Sequence, residues 1–213
     1  MSPRISEQKR EAQVERILEA ARRCFARNGY QSTTLEEISI EAGLSKGGIY
    51  TYFATKESIF LALSRKAHAA KLDALRGTYD ERDDALQRIL AMWHRIIWSW
   101  ESLEDQTRVS WEFWYHVSRQ RDAGLLRVLE KQYDDLARLF RDALEEGIKR
   151  GELDASLDVD MVTRVFWVLT DGLVGYWLAR NQRPSTAELT RVERVISRLV
   201  RRSLPAAGDT AER

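Results

Sequence analysis

The sequence predicts an all-α protein, and three observations carry that reading. The 213 residues include only 11 glycines and 3 prolines, too few for the many turns of a sheet protein of this size. The prolines stand at Pro3, Pro184 and Pro205, so every residue from Arg4 to Arg183 keeps the N–H that a helix uses. Apolar side chains recur at three- and four-residue spacing through most of the chain. Hydrophobic residues make up 44% and charged residues 31%, the balance of a globular chain rather than a disordered one.

The first ten residues read as a polar arm. From Glu11, the residues Val14, Ile17, Leu18, Ala21, Cys24 and Phe25 form one apolar face of a helix, which ends where Asn28-Gly29 can turn left-handed. Cys24 lies on that stripe and reads as a small core residue. Thr34 and Glu37 have capping-box spacing ahead of a two-turn helix from Leu35 to Ala42. Gly43-Leu44-Ser45 makes a tight turn, and Ser45 can cap a second short helix from Lys46 to Phe53. Two short helices about a three-residue, glycine-containing turn form a helix-turn-helix. Thr55, with Glu57 and Ser58, starts a longer helix from Lys56 to about Arg76. Five amphipathic segments follow: Arg82 to Ser102, Asp105 to Arg119, Asp122 to Arg150, Asp158 to Asn181 and Thr186 to Leu204. The tail from Pro205 is small and polar and reads as disordered.

Several function classes drop out. A single cysteine excludes a disulfide framework and a multi-cysteine zinc site. No run approaches the roughly 18 apolar residues of a membrane span, and Met1 to Arg10 has no apolar signal core; a cytoplasmic protein is expected. The chain has no glycine-rich phosphate loop, no His-Glu-x-x-His and no nucleophile motif, so neither an enzyme nor a bound cofactor is expected. Formal net charge is +1, so any claim of nucleic-acid binding rests on local arrangement.

That arrangement is present. A helix that enters a DNA groove needs small residues on its leading face and hydrogen-bond donors around its rim. Gly47 and Gly48 cost about 1 kcal/mol each in helix propensity, which a purely structural helix would avoid. Ile49 and Phe53 stand four apart and point inward, leaving Lys46, Tyr50 and Thr51 outward. Tyr50 and Tyr52 offer hydroxyls at phosphate height, Lys46 and Lys56 offer ammonium groups, and Thr33, Thr34 and Ser45 lie at helix N-termini that favour anions. Up to Phe60 there are nine basic and eight acidic side chains, so one such domain binds DNA weakly and a dimer is expected. A helical interaction or membrane-surface protein would fit the amphipathic helices equally well, but neither use calls for Gly-Gly-Ile-Tyr-Thr-Tyr-Phe.

Residues from Ile17 to about Leu63 resemble the N-terminal domain of TetR-type (TetR/AcrR) bacterial transcriptional regulators. Ala21, Phe25, Gly29-Tyr30, Thr33-Thr34, Ile38, Ala42-Gly43-Leu44-Ser45, Gly47, Ile49-Tyr50, Tyr52-Phe53, Lys56-Glu57 and Ile59 carry the likeness. Ser39 stands where the family usually has alanine, and Thr51 where an aromatic or histidine is common. The resemblance implies a DNA-binding domain over residues 1–55 and a helical effector-binding and dimerisation domain over 56–204, followed by the tail 205–213. It also implies a repressor that binds a palindromic double-stranded operator as a homodimer and is released by a small molecule.

All seven tryptophans lie beyond residue 90. Trp93 and Trp100 fall on one stripe, Trp111 and Trp114 on another, and so many flat side chains suit a pocket for a lipophilic or aromatic effector, with cation–π attraction favouring a cationic one. Glu112 and His116, four apart, add polar contacts; without a second ligand pair they do not make a metal site. Gly172 and Gly175 thin the surface of the penultimate helix, and Val192, Val195, Ile196 and Leu199 give the last helix an apolar stripe. These six positions are the expected dimer interface, and the resemblance implies a four-helix bundle there.

Overall fold

A computed structural model describes residues 7–80, 82–180, 182 and 184–203, with side chains outside 100–106 and 199–203. Within these bounds the chain is helical: α1 (Glu7–Ser32), α2 (Leu35–Glu41), α3 (Lys46–Tyr50), α4 (Lys56–Arg76), α5 (Ala85–Trp98), α6 (Trp100–Gln120), α7 (Ala123–Lys149), α8 (Val159–Ala179) and α9 (Thr186–Ser203). The tail from Pro205 lies outside the described residues. The first helix begins at Glu7, four residues before the expected start at Glu11, and its regular course breaks at Gly29 (φ 75°, ψ 167°). The second helix of the pair is shorter than its pattern, closing at Tyr50 with Thr51 as its C-cap. The expected break at Glu104-Asp105 lies instead at Ser99, where the Ser99 N–H bonds the Arg95 carbonyl and its hydroxyl the Ile96 carbonyl. No glycine or proline marks that break, which is why the apolar pattern ran through it.

The chain divides into two compact units: residues 1–70 with 104–129, and 71–103 with 130–213. The division falls within α4, α6 and α7, not at 55/56. In the first unit, Ile17, Phe25, Ile38, Ile49 and Phe60 are buried beside Phe113 and Val117 of α6. A small three-helix head has too little apolar surface for a sizeable core; α6 supplies the rest. Phe60 stacks on Phe113 with ring centroids 3.9 Å apart, and Tyr30 meets Phe113 edge-on at 4.8 Å. In the second unit, Trp93, Ile97, Phe140, Leu144, Phe166, Trp167 and Trp177 form the core, with Phe140 against Phe166 at 3.6 Å.

Candidate DNA-reading site

Local hydrogen bonds fix the helix-turn-helix. The Glu37 N–H donates to Thr34 Oγ1 at 3.1 Å, and the Thr34 N–H donates to Glu37 Oε2 at 2.7 Å, closing a capping box. The Thr34 hydroxyl also donates to Glu37 Oε2 at 3.0 Å, and the bonds that the carboxylate accepts, from the Thr34 backbone first and its hydroxyl second, hold the Glu37 carboxyl below the usual range. Gly43 turns the chain at φ 62°, and Ser45 Oγ accepts from the Gly48 N–H at 3.1 Å. Ser39 is buried and donates to the Glu36 carbonyl at 2.8 Å, so its hydroxyl fits within its own helix. Cys24 is buried, and burial raises its thiol pKa.

On this frame Lys46, Gly47, Tyr50 and Thr51 are exposed, while Tyr52 is half-buried with Arg10 over its ring at 5.9 Å. A Cβ at Gly47 would meet no protein atom within 4 Å, so no internal neighbour explains a glycine there. The Lys46 ammonium sits 3.2 Å from Glu36 in an exposed ion pair.

Two expected contact residues have internal tasks. Thr33 is 1% exposed, and its hydroxyl donates to the Gly29 carbonyl at 2.7 Å and the Cys24 carbonyl at 3.2 Å; it locks the end of α1. The Lys56 ammonium donates to the Tyr30 and Gln31 carbonyls at 2.9 and 3.0 Å and lies over the Tyr30 ring at 4.6 Å. Burial lowers its pKa, with Glu57 and Glu37 opposing. One of its three N–H groups remains for a phosphate.

The six residues expected to surround an effector are divided between the two units. Trp93 belongs to the core of the second unit. Trp111, Glu112, Trp114 and His116 belong to the first, and the Trp100 side chain lies outside the described residues. Glu112 accepts from the Tyr30 N–H at 2.7 Å, and the His116 Nδ1 lies 2.8 Å from Gln31 Nε2. A Cβ on Gly29 would come within 2.8 Å of the Glu112 carboxylate, so the glycine leaves room for that carboxylate as well as supplying the positive φ. Glu112 and His116 therefore tie α6 to the end of α1.

Of the expected dimer positions, Gly172 and Val195 are exposed, Gly175, Val192 and Ile196 are half-buried, and the Leu199 side chain lies outside the described residues. The composition-based reading missed a larger feature on α8. Met161, Val165, Val168, Leu169 and Tyr176 are all about half exposed or more and share one helical face with Gly172. Among the described residues no helix is long and apolar enough to cross a membrane, and no group of three or more His, Cys, Asp or Glu could hold a metal ion.

Comparison with known proteins agrees with this geometry. Residues 17–63 match the bacterial regulatory proteins of the tetR family, and residues 85–205 match the C-terminal domain of BetI-type transcriptional repressors. ArpR of Pseudomonas putida, a probable HTH-type transcriptional regulator, is 30% identical over 190 residues, covering 80% of this chain and 83% of its own. The HTH-type regulator TtgR of Pseudomonas putida is 28% identical with the same coverage. The fold is shared with a TetR transcription regulator of Haloarcula marismortui (TM-score 0.78, 18% identity, 92% of this chain and 100% of that one). It is also shared with FadR of Bacillus subtilis, solved with stearoyl-CoA (TM-score 0.72, 21% identity, 87% and 96%). The chain belongs to the TetR family of bacterial regulatory proteins and is a DNA-binding transcriptional regulator.

Proposed function

We propose that the chain is a cytoplasmic repressor that binds a palindromic operator as a homodimer and leaves it when a small lipophilic molecule binds the second unit. The observation that carries the DNA half is the exposed edge of α3: Lys46, Gly47, Tyr50 and Thr51 stand free of the core on a helix capped at both ends. Thr34, Ser45, Gly48 and Tyr52 stand around that edge as positioning contacts to phosphate. The apolar face of α8 carries the dimer half. Five large apolar side chains left open on one helix face mark a surface that a second copy covers, and two copies double the phosphate contacts that one weakly charged head can make.

Release by an effector requires the ligand to prefer a state in which the two heads no longer match the operator. The helices α4, α6 and α7 each contribute residues to both units, which gives such a preference a covalent route to the head. A coupling of about 1–3 kcal/mol would lower operator affinity some 5- to 150-fold. The acyl-CoA seen in the Bacillus subtilis structure supports a lipophilic effector here.

Selection from random duplex DNA, followed by binding of variants, tests the reading. Lys46→Ala and Thr51→Ala should change which sequences are preferred, whereas Tyr52→Phe should weaken all sequences alike. A single preference profile shared by the wild type and the α3 variants would overturn the assignment of α3 to base reading.

A further inference from the structure

The first helix is longer than the core it serves. The buried residues of α1 begin at Ile17, whereas every side chain from Glu7 to Ala12 is exposed. About 15 Å of helix therefore precedes the first buried position, and burial does not account for it. Its surroundings are more informative, because α1 follows the helix-turn-helix from one end to the other. The Asn28 side-chain amide donates to Glu37 of α2 at 3.4 Å, and Arg23 donates to Glu41 at 2.8 Å. Arg16 donates to the Gly43 carbonyl in the turn at 3.3 Å. Arg10 continues the series, with its guanidinium 5.9 Å from the centre of the Tyr52 ring. Tyr52 directly follows Thr51, the C-cap of α3.

Arg10 differs from the other arginines of α1 in what it holds. Arg16 bonds a carbonyl, Arg22 and Arg23 hold Glu19 at 2.8 and 3.2 Å, and Arg27 reaches Glu41 at 3.6 Å. Among the described residues Arg10 makes no hydrogen bond and no ion pair, even with Glu7, three positions earlier on the same side of the helix. Its contact is the face of an aromatic ring, which orients a guanidinium without engaging any of its five N–H groups. The side chain is exposed, held in place and uncommitted.

Its position suits DNA. When a recognition helix lies in the major groove, the sugar-phosphate backbone passes its ends, and contacts to phosphate there fix its register. Tyr52 stands at the end where the chain leaves α3. We propose that Arg10 binds a backbone phosphate beside the one expected on the Tyr52 hydroxyl, so that the first turns of α1 extend the DNA-binding surface beyond the helix-turn-helix. The planar fork of a guanidinium matches two phosphate oxygens at once, and such charge-assisted pairs are the strong ones. The inference rests on the reading of α3 as the helix in the groove.

Binding of the selected operator by the full chain across a salt series tests this, together with phosphate-ethylation interference. Arg10→Gln should weaken binding about tenfold or more at about 0.1 M salt and lower the salt slope by about 0.9 for each chain bound. Its sequence preference should stay that of the wild type. Arg10→Lys keeps the charge and should keep the slope, while binding more weakly for want of the fork. Ethylation of one phosphate in each half-site should block the wild type and no longer matter to Arg10→Gln. A loss of affinity with an unchanged slope would mark a packing role and overturn the proposal. So would an ethylation pattern common to both proteins, or an altered sequence preference, which would place Arg10 on base edges. A changed preference in Lys46→Ala and Thr51→Ala, with the slope of Arg10→Gln unaltered, would leave α3 in the groove while this contact falls. An unchanged preference in those two, with the Arg10 phosphate lost in Arg10→Gln, would do the reverse.

Discussion

Lys56 joins two backbone carbonyls at the corner where α1 ends and α4 begins, so a substitution there acts on folding as well as on DNA. Lys56→Ala should lower the unfolding free energy by about 1.5–3 kcal/mol, the range for hydrogen bonds from a charged group; urea denaturation measures it, and an unchanged midpoint would contradict the assignment. Lys46 presents the opposite case. Its exposed pairing with Glu36 contributes at most about 1 kcal/mol to stability, but Glu36 competes with DNA for the same ammonium. Glu36→Gln should strengthen operator binding and steepen its salt dependence, with little change in stability. Unchanged affinity and salt slope would place Lys46 away from the phosphates and bases. The caps at Thr34 and Ser45 were legible in the sequence because both partners of each bond lie within three residues. Of the partners of Thr33 and Lys56, Gly29 lies four positions away but Cys24, Tyr30 and Gln31 lie nine or more, and none leaves a periodic trace.

Helix α6 shows the same limit at the scale of an element. Its tryptophans suggested which face would meet a ligand, but the face that packs is Val109, Phe113 and Val117, with Glu112 and His116 at its edge. Nothing in a single sequence pairs Glu112 with Tyr30, 82 positions apart. If that bond fixes the head, Glu112→Ala should leave the Tyr30 N–H without its acceptor and let the protein accept operators whose half-sites are moved by a base pair. Glu112→Gln keeps an acceptor and should keep the discrimination. Competition binding on spacing variants reads this directly, and an alanine variant as selective as the wild type would refute it. On α8, Asp171 keeps part of its surface in water, but the protein packed around it strips hydration and raises its carboxyl, with Lys71 opposing. A carboxyl raised on folding binds its proton more tightly in the folded state, which disfavours folding above the ordinary aspartate value of 3.8 and not below it. Asp171→Asn should therefore raise the melting temperature at neutral pH, and the gain should vanish as pH falls through the acid range. A gain that persists at low pH would point to packing rather than charge.

The whole molecule was legible in outline. The scarcity of glycine and proline, the helix-turn-helix punctuation and the glycines of α3 led to an all-helical regulator with its DNA-reading head at the N-terminus. The division into compact units was not legible, because α4, α6 and α7 each serve both and no composition shift marks the crossing. The face proposed for the dimer lies on the helices to which Gly172 and Val195 pointed, but its larger part, from Met161 to Tyr176, looked like ordinary core on periodicity alone. Val168→Glu would place an unpaired charge on that face, at a cost of several kcal/mol if a partner covers it. The variant should run as a monomer in light scattering, stay folded, and lose most of its operator affinity.

The most direct test is hydroxyl-radical footprinting of the full chain on an operator selected from random DNA, with the bound stoichiometry measured alongside. Two protected half-sites related by a dyad are expected, their centres about one helical turn (34–36 Å) or slightly more apart, occupied by two chains. A protected site without a dyad, or full affinity from a single chain, would contradict that expectation.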